Sequence, residues 1–265
     1  MTYSSPRLTE SPIINVISAG IFKAAKRLRR DFGELENLQI SQKSPGDFVT
    51  QADLGSEKIL YEHLNHAYPH YGFLMEEKGE IKGSEEARWI IDPLDGTTNF
   101  IHGIPHFSIS VALEKRGVIV AGAIYDPIKD ELFWAEKDRG AYLNNRRIRV
   151  SSRSKLAESL IISEMCLSTP AADMNLNLFK KIHIRAGFRS FGSAALDLAY
   201  VAAGRVEGYM EYNLKPWDVA AGIIIVQEAK GMATPIRRED TLLSGDSIAA
   251  TNQNLHEELL SLLKP

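Results

Sequence analysis

Twelve residues constrain this chain more than any others: Trp89-Ile90-Ile91-Asp92-Pro93-Leu94-Asp95-Gly96-Thr97-Thr98-Asn99-Phe100. The apolar opening reads as a buried strand, and Asp92 at its carboxyl end stands where open α/β sheets place their sites. Pro93 forces a turn there and lets Asp95 swing back beside Asp92. Gly96 permits close backbone approach, and the amides of Gly96-Thr97-Thr98 can form an anion-binding nest or open a helix. One phrase thus offers two carboxylates for cations and a cradle for an anion. An Asx turn with a helix cap would account for one aspartate and one threonine and leave the second carboxylate without a role.

The surrounding text alternates helix and strand. Ile13, Ile14, Ile17, Ile21, Ala24 and Leu28 recur at helical spacing, with Lys23, Lys26, Arg27, Arg29 and Arg30 on the other face, which predicts a helix with its apolar side on the core. A transit peptide is the competing reading. Glu10 and Asp31 bracket the segment, its basic residues come late and no small-residue cleavage signal follows, all of which argue against it. A second helix is predicted from about Val49 to Ala67, closed by Pro69, then strands at Gly72–Met75 and Trp89–Ile91. From Phe107 to Val150, runs such as Ser108–Leu113 and Val118–Tyr125, punctuated by Gly117, Pro127, Gly140 and Asn144-Asn145, predict hairpins. Helices follow at Ser193–Ala203, stopped by Gly204, and at Trp217–Lys230, stopped by Gly231. A strand at Ser247–Thr251 and a helix at Leu255–Leu263 close the chain. Without repeat, low-complexity tract or long linker, this string predicts one domain over residues 1–265, an α/β (α+β) layered sandwich. Its approximate halves are 1–150 (α+β) and 151–265 (α/β), with the site between them.

Bulk properties narrow the partner. The 265 residues are 44% hydrophobic and 25% charged, the make-up of a globular protein. With 31 basic and 34 acidic residues the formal net charge is -3, so no surplus exists to attract nucleic acid or an anionic membrane, and a small molecule is the expected partner. The single cysteine, Cys166, cannot form an intrachain disulfide. No apolar stretch approaches the roughly 20 residues that cross a bilayer. The cytoplasm is the compartment expected from both facts.

Two further acidic sites are candidates to join Asp92 and Asp95. Glu76-Glu77 ends the preceding strand, and Asp218 opens a helix, where a carboxylate also suits the helix dipole and cap. Two carboxylates 4 Å apart repel by about 4 kcal/mol at an effective dielectric of 20, so four in one site imply bound cations. Carboxylates and a turn carbonyl are hard donors that suit Mg²⁺ or Mn²⁺ rather than Zn²⁺. The histidines offer no comparable set. His63, His66 and His70 read as surface residues, and His102 and His106 as loop or rim residues.

Asp92–Phe100 resembles the first signature of the inositol monophosphatase family, and Pro216-Trp217-Asp218-Val219-Ala220-Ala221-Gly222 resembles its second. Val49–Asp53, Phe73–Glu77 and Gly192-Ser193-Ala194-Ala195 also fall where the family has equivalents, so the similarity spans nearly the whole chain. The resemblance implies the αβαβα sandwich that this family shares with fructose-1,6-bisphosphatases, and a homodimer. It further implies a Mg²⁺-dependent, lithium-sensitive phosphatase that releases inositol and phosphate from a phosphorylated polyol by attack of metal-activated water. Two or three Mg²⁺ are implied: Glu76, Asp92 and the Leu94 carbonyl for one, Asp92, Asp95 and Asp218 for a second, and a third, weaker ion near Glu76. By the same resemblance Thr97, paired with Asp53, orients or deprotonates the water, and Glu77 supports the water network. The Gly96 and Thr97 amides, with Thr98, receive the phosphate. Gly192, Ser193 and Ala194 offer backbone contacts, Glu211 accepts from substrate hydroxyls, and Lys43 belongs to a mobile loop that closes over the metals. Two departures from the common family wording are Leu94, which acts through its carbonyl alone, and Met75, which is expected to narrow the pocket.

Three alternatives stay open. A same-fold relative could take fructose 1,6-bisphosphate, histidinol phosphate or a phosphoadenosine nucleotide. An aspartate-nucleophile phosphatase carries two aspartates two residues apart, whereas Asp92 and Asp95 lie three apart. Bacterial members of the family also serve as accessory proteins in transcription antitermination and ribosome assembly, which makes a transcription-complex protein the alternative partner.

Overall fold

The basic amphipathic segment folds as α1 (Pro12–Phe32), started by Ser11, whose hydroxyl accepts the Ile14 amide at 3.1 Å, and by Pro12 in the first turn. This computed structural model describes residues 11–35, 40–44, 47–164, 172–237, 241–243 and 247–262. Next come the antiparallel strands β1 (Ile40–Ser44) and β2 (Asp47–Thr50), then α2 (Gln51–Ala67). The second helix therefore begins two residues later than the apolar spacing predicts. Thr50 is its cap, accepting the Ala52 amide at 3.0 Å, and Val49 belongs to the strand before it.

Eight strands make the larger sheet: β3 (Gly72–Met75), β4 (Gly79–Ile81), β5 (Ala87–Asp95), β6 (Ser108–Lys115), β7 (Val118–Asp126), β8 (Glu131–Glu136), β9 (Gly140–Leu143) and β10 (Arg146–Ile148). Their order is β10-β9-β8-β7-β6-β5-β3-β4, and only β3 and β5 run parallel. After β5 comes the short helix α3 (Thr97–Ile101). A five-stranded sheet in the order β12-β11-β13-β15-β14 is built from β11 (Leu160–Ile162), β12 (Gly187–Arg189), β13 (Gly208–Tyr212), β14 (Met232–Thr234) and β15 (Ser247–Thr251). The remaining helices are α4 (Ala172–His183), α5 (Ala194–Ala202), α6 (Pro216–Glu228) and α7 (His256–Leu262). Leu263, expected to end the last helix, lies outside the described residues, as does Cys166.

Alternation along β5 shows how the layers stack. Ile91 joins Ile17, Ile21, Leu28, Leu60 and Leu64 under α1 and α2, while its neighbour Ile90 points to the opposite face and packs with Ile124, Leu198, Ala221 and Ile224. That second cluster extends through α5 and α6 to Tyr209, Ile248 and Ala250 of the smaller sheet. Ile182, Leu255 and Leu259 of α4 and the C-terminal segment cover that sheet's far face against Ile161 and Met210. The layers are thus α, β, α, β, α, as the family resemblance implies. Fully burying one such Ile or Leu contributes about 1.5–3 kcal/mol, so three clusters of this kind bind the layers into one body. Contact in the middle is close: a Cβ on Gly122 of β7 would meet Ala221 Cα at 2.9 Å. Among the described residues no helix is long and apolar enough to cross a membrane.

Candidate active site

The acidic phrase does not end its strand where the sequence suggests. β5 continues through Pro93 to Asp95, and its pairing with β6 steps from Asp92↔Ser110 to Asp95↔Ser108, three residues against two. That extra residue is a bulge. In a regular strand, residues three apart point to opposite faces; the bulge returns Asp95 to the face of Asp92, the one turned to α5 and α6. Pro93 is tolerated because it lies at the bulge, where the ladder bond it cannot donate is not required.

Both aspartates are buried. Asp92 accepts the Leu94 amide at 3.0 Å. Desolvation first, then the nearby charges of Glu76, Asp95 and Asp218, push its carboxyl well above the usual range. Asp95 accepts the Ser193 hydroxyl in a short hydrogen bond, the Ala195 amide at 3.0 Å and the Ser108 hydroxyl at 3.2 Å. Burial nevertheless lifts it to about 6. Asp218, at the start of α6, accepts the Lys215 amide at 2.7 Å, so it does cap the helix. Shielding from water, with Asp95 nearby, raises it to about 7. Glu211 on β13 takes the Tyr209 hydroxyl at 2.7 Å and is raised to about 8, chiefly by desolvation.

Asp95, Asp218 and Glu211 border a cleft of about 600 Å³ between the two sheets, whose wall also includes Glu76, Thr97 and Ala194, while Asp92 lies buried behind that wall. Gly96, Thr98, Gly192 and Ser193 line it as well. Gly96 sits at φ +90, and a Cβ there would meet Gly192 O at 3.0 Å and His106 O at 3.1 Å, which only glycine avoids. Thr97 at the start of α3 places its hydroxyl 3.1 Å from Asp53 Oδ1 and 2.9 Å from the Leu94 carbonyl. Asp53 is itself fixed by the Thr50 amide at 2.8 Å and hydroxyl at 2.6 Å, and burial raises its pKa. Thr97 and Asp53 are thereby brought together, and the segments carrying Glu76, Asp92, Asp95 and Asp218 converge. Lys43 stands on β1 rather than in a loop, because its segment pairs with β2; its side chain lies outside the described residues. Met75 does not narrow the cleft: strand alternation turns it away, into the core under α1 and α2.

Several residues escaped the sequence reading. Asn99 uses one amide nitrogen to reach three carbonyls, His106 at 2.8 Å, Phe191 at 2.7 Å and Gly192 at 3.3 Å, tying the end of α3 to the loop before α5. Asp197 in α5 is fully buried with neither oxygen hydrogen-bonded among the described residues, and burial raises its pKa well above the usual range. Glu57 of α2 is also fully buried. The available signal was a polar residue at core-facing helical positions. His63 is half-buried, bonded to the Val16 carbonyl at 3.0 Å and 3.0 Å from the Lys23 ammonium, so it joins α1 to α2 instead of lying free on the surface. His106 stacks on Phe191 at 5.4 Å and, lowered to about 4 by burial, backs the cleft wall as a neutral ring.

Hard, mutually repelling carboxylates raised by burial are what a divalent cation would relieve, and the donor set contains no thiolate or imidazole. Among the described residues no three His, Cys, Asp or Glu side chains already close on one point as a cage. Each of Asp92, Asp95 and Asp218 instead satisfies itself on neighbouring amides or hydroxyls. The segments fit such ions; the side chains would have to turn inward to hold them.

The family model described as the inositol monophosphatase family matches residues 9–265. An inositol-1-monophosphatase of Mesorhizobium japonicum is 45% identical over 263 residues, 97% of this chain and 98% of that protein. A Nus factor SuhB of Pasteurella multocida is 37% identical over 96% of this chain and 97% of its own length. The crystal structure of the extragenic suppressor protein suhB from Bartonella henselae superposes with a TM-score of 0.93 at 48% identity, covering 96% of this chain and 99% of that one.

Proposed function

This chain belongs to the inositol monophosphatase family and is a phosphatase of phosphate monoesters; we propose that inositol monophosphate is its substrate and Mg²⁺ its cofactor. The observation that carries the cofactor is the cluster of Asp92 and Asp95, both buried on β5, with Asp218 and Glu76 close by: desolvation raises Asp92, Asp95 and Asp218, and the neighbouring charges raise Asp92 further. Uncatalysed hydrolysis of phosphate monoesters is among the slowest reactions known, and most of its acceleration must come from placing and neutralising charge.

In this reading Glu76, Asp92 and the Leu94 carbonyl hold one cation, and Asp92, Asp95 and Asp218 a second, with room for a third near Glu76. Bound divalent cations supply Lewis acidity and charge neutralisation at the phosphoryl oxygens, and lower the pKa of water. The amides of Gly96 and Thr97, with Thr98, receive the phosphate. Thr97 Oγ1 passes the proton of the attacking water towards Asp53 Oδ1, whose raised affinity for a proton suits a base. Glu77 supports the water, Gly192, Ser193 and Ala194 contact the substrate, and Glu211 accepts from its hydroxyls. Lys43 would close over the cleft. A homodimer in the cytoplasm and inhibition by lithium complete the proposal.

Phosphate release should be measured on inositol, fructose, histidinol and nucleotide phosphates, with Mg²⁺ and after chelation. Inositol 1-phosphate is expected to be the best substrate, with activity lost on chelation and reduced by lithium. Undiminished activity in a thorough chelator would sink the cofactor assignment, and a clear preference for another ester the substrate. The relative named as a Nus factor favours a second reading, an accessory role in a transcription complex. An Asp95→Asn chain that still supports antitermination would separate that role from hydrolysis.

A further inference from the structure

Helix α2 meets the cleft through one face. Asp53, Ser56 and Glu57, spaced i, i+3 and i+4, each hold a different segment: Asp53 accepts from Thr97 Oγ1 at 3.1 Å, Ser56 donates to the Pro93 carbonyl at 2.8 Å, and Glu57 Oε2 accepts the Glu77 amide at 2.8 Å. Those segments are the start of α3, the bulge of β5 and the turn after β3, and together they carry Thr97, Asp92, Asp95, Glu76 and Glu77. One rigid element therefore sets the register of the turn after β3 against the continuous stretch that runs from the β5 bulge into α3.

Glu57 is the costly member of the three. Its side chain is fully buried, and Oε1 makes no hydrogen bond of good geometry among the described residues, although the Lys78 amide beside that of Glu77 also favours the charged carboxylate. Burying a carboxyl with one oxygen unsatisfied is unfavourable, so its place in the core calls for an explanation. The explanation lies at its other oxygen. Backbone pairing carries β3 against β5 up to the bond from Glu76 N–H to the Ile91 carbonyl at 3.3 Å. Immediately beyond it the chain turns, and there Glu57 takes the next amide, that of Glu77. The side chain is long enough to cross from the helix to the turn.

We propose that Glu57 is a positioning residue: by holding the Glu77 amide it fixes where the Glu76 carboxylate stands against Asp92 and Asp95, and so sets affinity for cations that it never touches. This rests on reading the cleft as a cation site. Partners that orient metal ligands in this way typically account for 10- to 100-fold in affinity.

Two conservative substitutions separate reach from charge. Glu57→Gln keeps an acceptor at the same distance and removes the charge; Glu57→Asp keeps the charge and falls one methylene short. Mg²⁺ titration by calorimetry on the full-length, chelator-stripped protein is the test, with melting curves and hydrogen exchange at the Glu77 amide alongside. Glu57→Gln is expected to bind within about threefold of wild type, and Glu57→Asp roughly 10- to 100-fold more weakly with faster exchange at Glu77. The opposite order of affinities overturns the inference, because charge and not reach would then matter. Equal affinities overturn it as well, even with a lowered melting temperature, since that leaves Glu57 a purely structural residue. A wild-type protein that binds no Mg²⁺ removes the cation reading itself, and the wild-type titration alone reveals that case.

Discussion

Asp95 carries more of the site than any other single side chain, because it faces Ser193, Ala195 and Ser108 at once and lies beside Asp92 and Asp218. In Asp95→Asn the amide oxygen can still accept from these donors while the charge is lost. The fold is therefore expected to survive with phosphate release reduced at least about a hundredfold, on the order of 3 kcal/mol in the barrier. Rates near wild type, measured with a normal melting curve, would remove Asp95 from the chemistry. Glu211 gives a prediction in pH. Its carboxyl is raised to about 8, so between the ordinary carboxylate range and that value the folded chain keeps a proton that the unfolded chain releases. The stability this group contributes is present at low pH and lost as pH rises through that window. Metal-free protein should melt at progressively lower temperature from about pH 5 to pH 8, and Glu211→Gln should flatten that decline. A slope unchanged by the substitution would show that Glu211 is not the group responsible.

Elements explain why the sequence was legible in some places and opaque in others. Long helices declared themselves through spacing and caps: α5 and α6 stand within two residues of where Ser193, Gly204 and Gly231 put them. β5 did not, because the proline that looks like a strand end sits in a bulge, and pairing with β6 is what carries the strand across it. The three-residue strands β11, β12 and β14 hold too few residues to show a period. Cleft-lining residues such as Asp95, Gly96, Thr97 and Asp218 sit in contiguous motifs and were readable as candidates, whereas Glu57 and Asn99 reach across to other segments, which no local pattern encodes. Asn99 makes that reach testable. Asn99→Ala would leave the half-buried His106 and Phe191 carbonyls short of a donor and is expected to cost about 1–3 kcal/mol in denaturant unfolding. A loss well below that range would mean that the end of α3 and the Phe191 loop hold together by other means.

For the molecule as a whole, a layered mix of helices and sheets was predictable from their alternation, but the αβαβα order came from the family resemblance, and which faces meet depends on Ile90 and Ile91 pointing apart. The cleft lies between layers, so a cation held there by groups from the larger sheet and from α6 favours the folded state alone. At a hundredfold excess over its dissociation constant, Mg²⁺ should add about 2.7 kcal/mol, readable as a rise in melting temperature that chelator reverses. Asp92→Asn should abolish most of that rise; a shift that survives the substitution would locate the stabilising ion elsewhere. The eight-stranded sheet is finished at Ile148, yet one of its faces, with Ile90, Ala112, Ile124 and Phe133, packs against α5 and α6, which begin at Ala194. On the ribosome, then, a nascent chain of the first 150 residues has every hydrogen-bonded neighbour in that sheet and still displays a broad greasy surface.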